Sequence, residues 1–238
     1  MSHLILVRHG QSVWNLENRF TGWVDVELSK NGREEASKAG KLIKNLKIDF
    51  GMFYTSYLKR ANETLNIILK EINVENNQVV KAWELNERHY GNLTGLNKDE
   101  MKKKLSEEKV HQLRRSWDIP PEKLDKDSPY HPLNNMIYKD IPKNLIPDTE
   151  SLKDTYERVL PFFKKEIQNK LTNKKNILVV AHGNSIRAIC KFLFKINHKN
   201  ISKLEIPTGN PLLIELKNSK ISNCKYLDQE RAKDLLVF

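Results

Sequence analysis

Two short runs of the chain carry the same chemistry. Leu4-Ile-Leu-Val-Arg-His-Gly-Gln-Ser12 and Ile177-Leu-Val-Val-Ala-His-Gly-Asn-Ser185 each place an apolar stretch ahead of His-Gly-polar-Ser. An imidazole can attack phosphorus and carry a phosphoryl group, because its ring nitrogen titrates near neutral pH and the N–P bond it forms remains a good donor. His9 is the candidate nucleophile, and its second ring nitrogen is expected to be held as N–H by a backbone carbonyl. His182, Arg8 and Arg60 are expected to neutralise the transferring oxygens, since guanidinium groups grip phosphate bidentately. Glu87 is the candidate general acid for the leaving oxygen. Gly10 and Gly183 allow a sharp turn or a close approach of backbone to ligand, and the second leads into a helix whose first amides favour an anion.

The same residues admit a competing arrangement, in which two histidines and a carboxylate such as Glu87 form a facial metal site. The arginines argue against it: cations at positions 8 and 60 repel a divalent ion and suit an oxyanion. No metal is expected.

These side chains must be delivered to one place by the elements that carry them. His3 to Val7 reads as a strand, Ser29 opens a helical pattern through Ala36, Ala39, Leu42, Ile43 and Leu46, and Phe50 to Tyr54 is a second strand. Leu58 to Ile72 repeats the 3.6-residue period, Val79 to Ala82 is a third strand, Asn176 to Ala181 a fourth, Ser185 to Phe194 a helix, and Leu212 to Leu216 a late strand. Alternation of this kind predicts an α/β fold, a three-layer sandwich with a mostly parallel central sheet flanked by helices. In a parallel sheet the carboxyl ends share an edge, where such folds bind ligands, so His9 and His182 can meet from opposite ends of the chain.

Helical stretches from Asn97 to about Trp117 precede a segment containing Pro120, Pro121, Pro129, Pro132, Pro142 and Pro147, which deny it continuous helix or central strand. Residues 90–147 are therefore expected to be a cap inserted in one domain spanning 1–238. Helix resumes from Ser151 to Leu171, with a kink expected at Pro161.

Composition bounds the alternatives. With 238 residues the chain can bury a full core. At 30% charged residues, and with apolar runs far shorter than about 20 residues, it offers no candidate membrane span. The net charge of +11 invites a polyanion reading, but the lysines are scattered and the densest cluster, Lys102 to Lys104, is followed at once by Glu107 and Glu108. Neither nucleic acid nor membrane is an expected partner. No secretory signal is visible, and Cys190 and Cys224 sit in no CxxC, which together give a cytoplasmic expectation.

A longer set of motifs then adds a resemblance. Arg8-His9-Gly10 with Ser12, Trp14-Asn15, Glu17-Asn-Arg-Phe-Thr-Gly-Trp23, Tyr54-Thr-Ser-Tyr-Leu-Lys-Arg-Ala61, Leu85-Asn-Glu-Arg-His-Tyr-Gly91, Leu93 with Gly95-Leu-Asn-Lys98, Arg114-Arg115, Thr149-Glu-Ser-Leu152 and Ala181-His-Gly-Asn-Ser185 resemble the cofactor-dependent phosphoglycerate mutases of the histidine phosphatase superfamily. The likeness spans nearly the whole chain. It implies that His9 carries the phosphoryl group, that Arg8, Arg60 and His182 form the phosphate pocket, and that Glu87 moves the proton. Ser12, Asn15, Gly183 and Asn184 would add contacts there, while Thr21, Gly22, Arg88, Tyr90, Lys98, Arg114, Arg115 and Asn184 would hold the rest of the substrate.

The implied reaction interconverts 3-phosphoglycerate and 2-phosphoglycerate, with 2,3-bisphosphoglycerate as priming cofactor and no metal, in glycolysis and gluconeogenesis. The alternative is a histidine phosphatase acting on another small phosphate ester. Thr21-Gly22-Trp23 and Ser12 imply that bisphosphoglycerate synthesis is a side reaction. The implied partner is a small phosphorylated molecule, and the expected assembly a homodimer, although the resemblance also spans monomers and tetramers. Gln11 stands where a Glu is common, and the tail ending Asp234-Leu-Leu-Val-Phe238 is short for the resemblance, which implies poorer water exclusion and more hydrolysis.

Overall fold

The computed structural model describes residues 1–75, 78–173 and 175–232. In chain order it runs β1 (Ser2–Arg8), α1 (Val13–Leu16), α2 (Lys30–Lys44), β2 (Met52–Thr55), α3 (Lys59–Glu71), β3 (Val79–Lys81), α4 (Lys98–Leu105), α5 (Glu107–Arg115), α6 (Leu152–Phe162), α7 (Asn169–Thr172), β4 (Ile177–Ala181), α8 (Gly183–Leu193), β5 (Leu212–Lys217) and β6 (Lys220–Tyr226). The strands form one sheet in the order β3-β2-β4-β1-β5-β6. The first four are mutually parallel, and β5 and β6 add an antiparallel edge.

Alternation along the strands makes the layers. Ile5 and Val7 of β1, Phe53 of β2 and Leu178 and Val180 of β4 face α2 and α3, whose Ala39, Ile43, Leu65 and Ile68 are buried against them. Leu4, Leu6, Tyr54, Ile177 and Val179 face the other way, onto Val159, Phe163, Ile167, Ile186, Ile189 and Cys190. Two apolar faces explain why the parallel strands read as continuous apolar runs. The three-layer α/β architecture is thus the one the sequence implies.

Helix starts follow their caps. Ser29 Oγ accepts the Gly32 amide, Asn97 Oδ1 accepts those of Asp99 and Glu100, and Ser151 and Asp154 form a reciprocal capping box. Pro161 lies within α6, and the helix passes directly into a π-helical stretch over Phe163–Gln168 before α7. Strand β6 was not anticipated: its burial is low, and Asn218 and Ser219 make the hairpin turn with φ of 51° and 61° although Ser is not the usual second residue of such a turn.

Between α5 and α6 the proline-rich stretch forms only short 3-10 turns, at Pro132–Asn134, Met136–Tyr138 and Lys143–Leu145. It is nevertheless anchored. Tyr138 and Ile141 pack with Trp23 and Leu58, and the Tyr138 hydroxyl donates to the Trp23 carbonyl. The tail from residue 233 onward lies outside the described residues, as does any part it takes in covering the site.

Candidate active site

The histidines meet because their strands are neighbours. In the β1–β4 register Arg8 lies opposite Ala181, so the next residue of each strand, His9 and His182, leaves the sheet side by side. The His9 amide still donates to the Ala181 carbonyl at 3.0 Å. Ring centroids are 4.9 Å apart and the rings meet edge-on at 60°. Both side chains are buried.

Hydrogen bonds assign the nitrogens of His9. Its Nδ1 lies 2.6 Å from the Gly10 carbonyl and must donate there, as expected from sequence. Nε2 therefore carries the lone pair, and Arg60 Nε donates to it at 3.3 Å. The rest of the Arg60 fork is fixed by the carbonyls of Val24 and Gly22, each at 2.8 Å. Gly22 accepts this bond from a left-handed conformation, φ 57°, that other residues rarely take.

The field around these rings is positive. Burial, then Arg60, then Arg8 hold His9 well below its ordinary pKa, and burial with Arg60, His9 and Arg8 does the same to His182. Both rings are neutral in the free protein, which a nucleophile requires. Burial brings Arg60 down to about 10, still cationic at neutral pH. Arg8 donates Nη1 to the Ile206 carbonyl at 2.8 Å, while its Nε is buried without a partner.

Glu87 faces the same space. Its Oε1 accepts from the amides of Arg88 at 2.8 Å and Asn184 at 3.1 Å, so one oxygen is held by backbone. Asn184 also donates Nδ2 to the Tyr90 hydroxyl at 3.1 Å and accepts from Arg187 at 3.0 Å. A small cavity is lined by Arg8, His9, Asn15, Thr21, Gly22 and Arg60, closed by Glu87, Tyr90, Lys98 and Arg114. Burial, with Arg114 and Arg8 nearby, lowers Lys98 to about 8. Thr21 Oγ1 is another buried donor without a partner. Unpartnered donors and cations converging on one carboxylate make an oxyanion site with a proton carrier beside it.

Some sequence-selected residues lie elsewhere. Arg88 is fully buried, and its guanidinium is spent on the carbonyls of Leu113, Arg114, Ile119 and Glu150, so it ties α5 to the loop carrying Glu87 and does not line the cavity. Arg115 pairs with Glu205 through Nη2, keeps a buried Nη1 without a partner, and is not part of the cavity lining. Ser12 caps α1 through the Asn15 amide, and Asn15 Oδ1 accepts the Ser12 amide, leaving the Asn15 Nδ2 side for the cavity. Gly183 adjoins Arg8 at the start of α8. Gln11 is held by Ser29, its Oε1 accepting from the hydroxyl at 2.9 Å.

Sequence reading passed over others. Arg19 and Phe20 line the cavity although they stood within a quoted motif as context only. Ser56, one residue beyond β2, bonds His182 at 2.7 Å. Its signal was available: it follows a parallel strand, as both histidines do. Among the described residues no group of three or more His, Cys, Asp or Glu is placed to hold a metal ion.

The layered fold and its paired strand-end histidines are those of a family, and the chain belongs to it: the histidine phosphatase superfamily (branch 1), whose profile matches residues 4–226. Solved structures of similar shape include a mycobacterial hydrolase (TM-score 0.70, 20% identity, 95% of this chain and 97% of that one) and the mycobacterial glucosyl-3-phosphoglycerate phosphatase in complex with VO3 (TM-score 0.70, 19% identity, the same coverage). At that identity they speak for the fold alone. Within the superfamily, the chain is 64% identical over 239 residues, all of both chains, to the 2,3-bisphosphoglycerate-dependent phosphoglycerate mutase of Pelagibacter ubique. It is 47% identical to the protein of the same name from Maricaulis maris, over 99% of this chain and 98% of that one.

Proposed function

We propose that this chain interconverts 3-phosphoglycerate and 2-phosphoglycerate by ping-pong transfer through phospho-His9, primed by 2,3-bisphosphoglycerate. The name carried by the Pelagibacter and Maricaulis relatives supports the substrate. One observation carries the chemistry: the Gly10 carbonyl fixes the His9 proton on Nδ1, so the Nε2 lone pair lies among Arg60, Arg8 and His182.

His9 Nε2 attacks phosphorus as the bridging P–O bond breaks. The Arg60 Nε–H that now meets this lone pair is placed to pass to a phosphate oxygen, alongside the unpartnered Nε of Arg8. Glu87, protonated in that half-reaction, gives its proton to the leaving oxygen. In the reverse half its carboxylate accepts the proton of the attacking hydroxyl. The Nδ1–H···Gly10 bond steadies the positive charge of the phosphorylated ring.

The residues present fit the priming compound. Arg8, Arg60, Lys98 and Arg114 line one cavity with Asn15 and the unpartnered Thr21 Oγ1, enough donors for two phosphates and a carboxylate. Bound there, the bisphosphate supplies the phosphoryl group that charges His9. Residues 90–147 act as a cap within one domain, limiting water while the substrate reorients. The active assembly is a homodimer in the cytoplasm.

A coupled assay for 2-phosphoglycerate, with and without the bisphosphate, tests this. We expect strong dependence on the primer and loss of turnover in His9→Ala. Phosphate release outpacing 2-phosphoglycerate formation would assign the site to a phosphatase.

A further inference from the structure

Ser56, His182 and His9 stand one residue beyond the ends of β2, β4 and β1, three adjacent parallel strands. Ser56 and His182 are both fully buried. The Ser56 hydroxyl has one proton to give. Its oxygen already accepts the Leu58 amide at 3.1 Å, and its other neighbour is His182 Nε2 at 2.7 Å. Among the described residues no other acceptor is within reach of that hydroxyl. On the far side of the ring, His182 Nδ1 is buried and without a partner.

We infer that Ser56 is a positioning residue that sets the tautomer of His182: its O–H donates to Nε2, which forces the ring proton onto Nδ1. The neutral ring then presents a donor beside His9, where the transferring phosphoryl oxygens must sit. The opposite tautomer would turn a bare lone pair toward those oxygens and repel them. An imidazolium would serve as a donor too, but burial and the flanking arginines oppose it in the free protein. The neutral donor therefore has to be selected by a hydrogen bond on the other nitrogen, as one ring nitrogen's bond dictates the role of its partner. This inference rests on the proposed phosphohistidine chemistry for its consequence but not for its geometry.

Nitrogen NMR of imidazole-labelled protein, without ligand at pH 7.5, tests the geometry directly. We expect His182 to show a protonated Nδ1 and an unprotonated Nε2 in the wild type, and a mixture of tautomers in Ser56→Ala. A protonated Nε2 in the wild type would overturn the inference whatever the variant does. In single-turnover phosphorylation of His9 by 2,3-bisphosphoglycerate, Ser56→Ala is expected to slow the step roughly 10- to 100-fold, less than the ~100- to 1,000-fold typical of deleting an oxyanion donor outright. KM should move little. Ser56→Cys, which keeps a weak donor and nearly the same volume, should recover part of the rate and serves if the alanine variant folds poorly. A His182 tautomer and a phosphorylation rate unchanged in both variants would also refute the idea. If the wild-type tautomer is as inferred but phosphoglycerate is not isomerised, the functional reading fails and the role of Ser56 in setting the tautomer stands.

Discussion

At the scale of single residues, the site depends on keeping imidazoles neutral in a field of guanidinium groups. His9 and His182 are joined in this by His89, which burial and His131 push down to about 3. A lowered folded-state pKa means that below about 6.5 the unfolded chain binds protons the native protein refuses, so stability falls as pH drops through that value and keeps falling toward the folded pKa. Each of the three should cost about 1.4 kcal/mol per pH unit in that window. Urea midpoints at pH 7.5 and 5.5 should therefore differ markedly; equal midpoints would contradict the assignment of buried neutral rings. A second expectation concerns Arg60, whose three nitrogens each donate one N–H, to Gly22, Val24 and His9. Arg60→Lys keeps the charge but not the fork, and kcat should fall about 100-fold or more in the coupled assay.

Elements set the tolerances within which these residues act. The turn after β1 runs against the first turn of α2 with backbone touching backbone: a Cβ on Gly10 would lie 2.1 Å from the Gly32 carbonyl oxygen, and one on Gly32 2.0 Å from that of Gln11. Gly32→Ala should lower stability by about 1–3 kcal/mol, and by more if the backbone cannot shift. Because that turn carries His9, kcat should fall as well, and a fully active, equally stable variant would disprove the contact. Helix α8 works differently. Its Arg187 holds Asn184 Oδ1 at 3.0 Å, and Asn184 in turn holds Glu87 and Tyr90. Arg187→Met should raise KM and lower kcat without touching the cavity wall.

Much of this level was legible beforehand. The two His-Gly motifs at strand ends, a backbone carbonyl as the partner of the second His9 nitrogen and the helix starts at Ser29, Asn97 and Ser151 were readable, since each depends on local pattern and spacing. The partners of Arg88 and Arg115 were not readable, because a sequence shows an arginine's charge but not which carbonyls or carboxylates its donors meet in the folded chain. Strand β6 escaped notice for a related reason: an edge strand with one weakly buried face has little apolar alternation to show.

For the whole molecule, the net charge of +11 is partly explained by the cavity, whose lining brings together Arg8, Arg19, Arg60, Lys98 and Arg114 with Glu87 as its acidic member. That concentration attracts a small polyanion, so substrate KM should rise with ionic strength, while DNA or RNA should not be retained at moderate salt. Treatment with EDTA should leave turnover intact; activity lost and restored by a divalent ion would require a different mechanism. No helix among the described residues is long and apolar enough to cross a membrane.

By itself the sequence determined the chemistry at the strand ends, because imidazole, guanidinium and carboxylate are properties of side chains, and it determined the layered α/β plan, because periodicity follows from where apolar groups fall. Only the tertiary structure decided which strands are neighbours, and hence that His9, His182 and Ser56 line up in one row. It alone decided which arginines keep their donors free for an anion. Those outcomes depend on register and on competition for hydrogen bonds between segments far apart in the chain, and no local pattern records either.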